Sequence, residues 1–333
     1  MRPVRVLVTG GTGFVGAAVL RELARERAGE SAGEPAVSVR AVARTVAATH
    51  SIPAPAAGDG AASAGIEWVA ADLSDPGSLR GVTDGVDVLV HLASRVSGSE
   101  EECGTVNIHG TRAILAEARR SGVRRIIHLS TAAVYGPGPH RGIPVGGVTP
   151  RPLSHASRTR LAGERYALDA GAVVLRPGLV SGAGDRWVVP ALRELLERVP
   201  AGWDGGRGRA SMVDVGDLAR LIRALVRTGA APDGGVYHAS HPVPVRNSEL
   251  MARLAELTVL PAVTGSLSWA ECLRRLRETP GRISERQFTL LAGDHWYLSD
   301  DVWRLTGCAE GPGPLQRLAD AAPWYRAHLA GAV

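Results

Sequence analysis

The chain has 333 residues, of which 45% are hydrophobic, with a formal charge of +5 and three cysteines. That size buries a full core and suits one large domain with a smaller lobe, while Cys103, Cys272 and Cys308 lie too far apart for a disulfide framework or a zinc site, so no metal is expected. The basic excess is all arginine, scattered among acids rather than clustered; no run nears the roughly 20 apolar residues of a membrane span, and the short apolar start reads as a strand. These features argue against nucleic-acid and membrane partners and for a cytoplasmic protein; a monomer or homodimer is expected.

Residues 4–8 form a β-branched strand, followed at once by Thr9-Gly-Gly-Thr-Gly-Phe-Val-Gly16 and a helical pattern over 17–27. In that order Gly10 allows a tight turn, Gly13 lets the backbone approach a pyrophosphate and Gly16 lets helix and strand pack closely. Thr12, Phe14 and Val15 complete the turn, with the helix N-terminus facing the anion. The second strand, 36–43, ends at Arg44, where NAD-preferring proteins often carry an acid for the ribose hydroxyls; arginine suits a 2′-phosphate, hence NADP(H). Residues 47–65, rich in Ala, Gly, Pro and Ser, read as a variable loop leading to a third strand over 66–70. Asp72-Leu73 and Asp87-Val-Leu-Val-His-Leu-Ala-Ser94 then follow at carboxyl ends of apolar strands, where ligands of open α/β sheets bind.

The ordered landmarks TGGTGFVG, DL at 72–73, DVLVHLAS, VNIHGT at 106–111, HLSTAAVYG at 128–136, LRPGLVSGAG at 175–184, SMVDVGDLA and APWYR resemble those of extended short-chain dehydrogenases/reductases along nearly the whole chain. The resemblance implies an α/β fold: a Rossmann doubly wound parallel sheet with a smaller C-terminal α/β substrate lobe, divided as 1–180 and 181–333, some later elements returning to the first. It implies that Asp72 and Leu73 meet the adenine, that Leu92, Ala93 and Ser94 line the cofactor, that Asn107, Ser130 and Arg160 also belong to its site, and that Pro177, Gly178, Leu179 and Val180 border the nicotinamide.

The family's reactive set is a Ser or Thr after the fifth strand, then Tyr-x-x-x-Lys with a Glu four residues on. Thr131 meets the first requirement, with Ser94 as its companion. Aligning Arg160-Leu-Ala-Gly-Glu164 on the usual Lys-Leu-Ala-Gly-Glu puts Arg160 at the lysine and Ala156 at the tyrosine. A methyl group has no proton to give. Tyr166 stands almost three turns along the helix, His155 points about 100° away from the gap, and Tyr135, in a Val-Tyr-Gly segment, is more often structural. Loss of a general acid slows reduction by about 10² to 10⁴ but leaves hydride delivery in place. Ordered water, relayed by Thr131 or Ser94, could supply the proton, and so could the substrate itself, a route that suits a carbonyl beside an acidic phenol.

After Gly184 the helical patterns 188–198, 215–228, 247–257 and 269–278 alternate with a short strand at 235–239. Trp187 and Trp203 flank the expected cleft as candidates to stack on a flat substrate, with Tyr135 a further candidate. The tyrosine-less pattern resembles atypical angucyclinone ketoreductases of antibiotic pathways. The expectation is therefore an NADPH-dependent ketoreductase acting on a polycyclic aromatic polyketide; a dehydratase, cyclase or epimerase on the same fold, or an NADP(H)-sensing regulator, are the alternatives.

Overall fold

In the computed structural model, which describes residues 2–25, 36–45, 65–228 and 234–331, the apolar strands line up as one parallel sheet. Its first half is β1 (Val4–Thr9), α1 (Phe14–Arg25), β2 (Val37–Ala43), β3 (Ile66–Ala70), β4 (Val88–His91), α2 (Glu100–Gly104), α3 (Thr111–Arg120) and β5 (Arg125–Leu129). A π-helical turn, Thr105–Gly110, joins α2 to α3. The expected loop over 47–65 lies almost wholly outside the described residues, as do the last two residues of the helix expected over 17–27.

The chain continues through β6 (His140–Ile143), α4 (His155–Asp169), β7 (Val173–Arg176), β8 (Leu179–Ser181), α5 (Val188–Arg198), β9 (Gly202–Trp203), β10 (Arg209–Ala210), β11 (Met212–Asp214), α6 (Val215–Arg227) and β12 (Gly235–His238). It ends with β13 (Val245–Arg246), α7 (Asn247–Glu256), β14 (Ser266–Leu267), α8 (Trp269–Glu278), α9 (Glu285–Ala292), β15 (His295–Tyr297), α10 (Asp300–Thr306) and α11 (Pro314–Ala330).

The seven-stranded sheet runs β12-β7-β5-β4-β1-β2-β3, every pair parallel. Such strands are covered on both faces, which is why they read as continuous apolar runs. One face packs on α1 and α6 through Val19, Leu23, Leu218 and Ile222; the other packs on α3 and α4 through Ile114, Leu115 and Ala167. The order reverses between β1 and β4, opening a crevice at their carboxyl ends. The strand expected in the smaller lobe near 235–239 is instead β12, an edge strand of this main sheet. Its pairing with β7, together with the packing of α6 on α1, returns the chain to the first half.

A second core holds α5, α7, α8, α9 and α11 around Phe288 and Trp203. This corrects the expectation for Trp203: it is 1% exposed, its ring lies 5.2 Å from Phe288, and its Nε1 donates to Val199 O at 3.1 Å. A side chain so enclosed packs the core of the lobe rather than lining a cleft.

At the β7–β12 edge of the main sheet lies a buried polar seam. Arg176 of β7 donates through Nε to Glu164 Oε1 of α4 at 3.0 Å, and through Nη1 to the Tyr135 hydroxyl at 2.9 Å. That hydroxyl lies 2.7 Å from His238 Nε2, and the Tyr135 ring stacks on Tyr297 at 5.1 Å. Removing one partner of a buried pair strands the other's charge at a cost of about 3–5 kcal/mol, whereas replacing both is far milder. Arg176→Leu is therefore expected to lose about that much stability in urea denaturation, and Glu164→Leu with Arg176→Leu to recover most of it.

Candidate active site

The first wall of the crevice is the turn between β1 and α1. Gly10 adopts φ +73°, and a Cβ there would sit 2.7 Å from Ala93 N; one on Gly16 would lie 2.0 Å from Gly10 O. The turn closes through Gly13 N to Gly10 O at 3.0 Å, leaving Thr12 and Gly13 exposed before the unpaired N–H groups that open α1. That cradle, too close for any side chain, fits the pyrophosphate of a dinucleotide. Val15 and Phe14 are half-buried, and the Phe14 ring reaches within 3.0 Å of where a Gly184 Cβ would stand, tying the turn to the segment after β8.

Beneath the turn is a buried hydrogen-bonded bridge that sequence reasoning missed. His91 Nδ1 lies 2.7 Å from Thr9 Oγ1, and its Nε2 lies 3.0 Å from Thr111 Oγ1. Thr9 Oγ1 in turn accepts from Ala93 N at 3.4 Å. The ring is fully enclosed, which pushes the His91 pKa down to about 4 and keeps it neutral. The only sequence signal was a histidine in each of two otherwise apolar strands, His91 and His128, whose rings lie 5.1 Å apart.

At the far edge, Arg44 follows β2 in the open and Asp72 follows β3. The Asp72 carboxyl is held below its usual range by the Ser74 backbone N–H, and the Arg44 charge adds to this. The two residues therefore share one edge, where the adenosine half of a dinucleotide would lie. Leu73, Leu92 and Leu179 are buried in the cores, so their share of the crevice wall is backbone rather than side chain.

Asn107 is also placed differently from expectation. Its Oδ1 accepts from Arg95 N at 2.7 Å, and its Nδ2 donates to Arg95 O and Thr159 Oγ1, both at 2.9 Å. It clamps the segment after Ser94 to α4, from behind the crevice. Asn107 lies on the π-helical turn, a rare distortion that, where it occurs, is frequently found at functional sites.

The reactive corner lies at the end of β5. Thr131 Oγ1 accepts from Ala133 N at 3.1 Å, and Ala132 N donates to Pro177 O at 2.8 Å. Gly178 is pressed onto the residue before β11, where a Cβ would lie 2.2 Å from Ser211 O, and its N donates to Ser240 Oγ at 2.9 Å. Leu179 and Val180 continue this wall in register with Met212 and Val213. Opposite stands α4, with Ala156 one turn before Arg160. Arg160 donates through Nη2 to Leu129 O at 3.1 Å, and burial pulls its pKa down to about 10, leaving it charged at neutral pH. Among the described residues Arg160 Nε, Ser130 Oγ and His128 Nδ1 have no protein partner. Buried polar atoms left without a partner at a strand end are consistent with a polar ligand.

Three side chains lie outside this corner or are closed off from it. His155 is exposed, with Nδ1 3.2 Å from Glu100 Oε2 and 2.9 Å from Arg158 Nη2. Tyr135, expected among substrate contacts, is instead 2% exposed, its hydroxyl held by Arg176 and His238. Tyr166 sits farther along α4, packed on the α3 side of the sheet. Trp187, by contrast, is 38% exposed beside the Gly184 segment. Ser94 lies half-buried just past β4.

With this geometry, the model of the NAD dependent epimerase/dehydratase family matches residues 6–239. A ketoreductase of 4-hydroxy-2-methyl-3-oxo-4-farnesyl-3,4-dihydroquinoline-1-oxide from Stigmatella aurantiaca is 28% identical over 79% of this chain and 76% of its own. A 2-alkyl-3-oxoalkanoate reductase from Stenotrophomonas maltophilia is 27% identical over 86% and 84%. Among solved structures, dTDP-glucose 4,6-dehydratase from Streptomyces venezuelae, with NAD bound, superposes with a TM-score of 0.72 at 21% identity, covering 98% of each chain.

Gly16→Ala forces its new methyl group onto the Gly10 carbonyl. Its expected outcome is a loss of at least about tenfold in affinity for the reduced nicotinamide dinucleotide, about 1.4 kcal/mol, measured by quenching of nicotinamide fluorescence, with the fold retained by circular dichroism.

Proposed function

The chain belongs to the NAD dependent epimerase/dehydratase family, and from that premise we propose that it is an NADPH-dependent ketoreductase acting on a polycyclic aromatic polyketide, angucyclinone-like, in antibiotic biosynthesis. The observation that carries the reading is position 156 of α4, one turn before Arg160, whose Nη2 reaches Leu129 O at the end of β5: it is an alanine, with only a methyl group to offer. Bound in the crevice, the reduced nicotinamide supplies hydride. Thr131 and Ser94 orient the carbonyl oxygen, and no side chain at position 156 gives it a proton.

That proton comes from the substrate. A phenolic hydroxyl beside the carbonyl already hydrogen-bonds its oxygen and neutralises the alkoxide as it forms, taking over a contribution that a general acid makes at about 10² to 10⁴ in rate. Sugars carry no hydroxyl of that acidity. The names of two relatives support a ketone substrate, and one of them acts on a ring system. Arg44 supports NADPH, since a guanidinium at the end of β2 pairs with a 2′-phosphate and leaves a bare ribose without its usual acceptor. The exposed Trp187 supplies a flat apolar surface on which such a substrate stacks. Thr131 and the complete second lobe favour an enzyme over an NADP(H)-sensing regulator. An epimerase or dehydratase reaction on the same framework is the second reading, favoured by the family itself; it turns over without net consumption of NADPH.

Cofactor oxidation against phenolic polycyclic ketones and nucleotide sugars, with NADPH and NADH side by side, tests the reading. Turnover is expected on the phenolic set with NADPH, falling at least about tenfold in Thr131→Ala, and the preference over NADH is expected to fade in Arg44→Ala. Turnover on sugars alone would overturn it.

A further inference from the structure

The segment after β8 borders the glycine turn, and a residue from the far end of the chain holds it there. Gly182 and Gly184 take φ +129° and +102°, and Asp185 N donates to Gly182 O at 3.0 Å, so residues 182–185 form a tight turn. One side abuts the β1–α1 turn, where the Phe14 ring leaves 3.0 Å for a Cβ on Gly184. The other side is pressed on α6, where a Cβ on Gly182 would lie 2.7 Å from Val215 Cγ1. Asp185 is 2% exposed; its Oδ1 accepts from Trp187 N and Val188 N, both at 2.8 Å, and its Oδ2 from Val189 N at 3.1 Å. The carboxylate thus caps α5 and fixes the backbone that carries Trp187. Oδ2 also accepts from the hydroxyl of Tyr325, on α11, at 2.9 Å. That same hydroxyl accepts from Gly182 N at 2.9 Å. Tyr325 is wholly buried, and burial raises its pKa, so the phenol keeps the proton it donates. One hydroxyl therefore holds both ends of the turn.

We propose that Tyr325 is a positioning residue for the cofactor. Through Gly182 and Asp185 it holds residues 182–187 against Phe14, and so sets the glycine turn to receive the dinucleotide and Trp187 to receive the substrate. It touches neither ligand. Its ring packs in the second core, so α11 carries the seating of that core to the cofactor site. Without the hydroxyl, a buried N–H and a buried carboxylate oxygen each lose a partner, and satisfying them again requires the turn to shift, which moves Gly184 relative to Phe14. The cofactor half of this inference stands on the fold and the family alone; the substrate half rests on the ketoreductase reading.

Tyr325→Phe removes the hydroxyl and keeps the ring. Affinity for NADPH and NADH is measured by calorimetry on the full chain, Tyr325→Phe, Phe14→Leu and the double variant, with urea denaturation alongside. Arg317→Gln is the control: it loosens α11 by removing the donors to Asp217 at 2.9 and 3.2 Å and leaves the Tyr325 bonds in place. Tyr325→Phe is expected to weaken the better-bound dinucleotide by about two- to thirtyfold, the range for substitutions that act through a packed chain of contacts. In the Phe14→Leu background that loss should largely vanish, since the contact that transmits it is gone. Arg317→Gln should lower stability with affinity unchanged. If Tyr325→Phe does not fold, Asp185→Asn, which takes away the acceptor of the same bond, is read in its place with the same expectation. Unchanged affinity, full additivity with Phe14→Leu, or an equal loss in Arg317→Gln overturns the proposal. With emodin, a phenolic anthraquinone, as the reducible probe, KM should rise in Tyr325→Phe with kcat little changed. A native chain that leaves emodin unreduced counts against the reductase reading alone, because the affinity cycle needs no turnover and still decides the role of Tyr325.

Discussion

The crevice depends on how closely the first glycine turn is pressed against the end of β4. Gly10 lies so near Ala93 that a Cβ there would meet backbone at 2.7 Å, and Gly16 lies nearer still to Gly10 O. This contact sets the distance between the pyrophosphate cradle and the wall carrying Ser94. The Thr9-His91-Thr111 bridge fixes it from below, joining β1, β4 and α3 through one neutral imidazole. The bridge is fully buried, so both ring nitrogens need partners, and having them makes the arrangement rigid. From this fixed edge the sheet carries β5 and β7 at set spacing, and with them Thr131 and the Pro177-Gly178 wall.

The second constraint ties α4 to the edge of the main sheet. Glu164 served, in the sequence, as an anchor for aligning Arg160; in the structure it is the buried partner of Arg176, which in turn holds Tyr135 and, through it, His238. The Glu that closes the motif of α4 therefore orients the helix against β7, and with it the register of Ala156 and Arg160 against the end of β5. A buried ion pair and a reactive corner share one helix, so losing one partner of the pair at 164 and 176 disturbs the corner as well as weakening the fold.

The elements built from local rules were legible in advance. The apolar runs of β1 to β3, the glycine turn and the helices 188–198 and 269–278 follow from period and propensity, and the structure gives them with the same or nearly the same bounds. Side-chain destinations were less so, because they are decided by partners far along the chain. Trp203 was read as a cleft residue from its neighbourhood in sequence, yet Phe288, eighty-odd positions on, encloses it. Tyr135 was ambiguous until Arg176 and His238 came beside it. β12 looked like part of the small lobe because it follows α5 and α6; a four-residue strand carries no mark of which sheet it joins, and pairing with β7 settles it. His91 and His128 lay in plain view in two motifs, but a histidine in an apolar strand gives no sign of its partners until the strands are side by side.

The central claim is that the crevice moves hydride from the nicotinamide to a ketone for good, rather than out and back. The most direct measurement supplies NADPH deuterated at the transferable position of C4, with a phenolic polycyclic ketone, and locates the label by NMR and mass spectrometry. The account predicts one deuterium on the carbinol carbon of the product for each NADP+ formed. A product isomerised or dehydrated with the deuterium still on the cofactor, and no net NADP+, would contradict it.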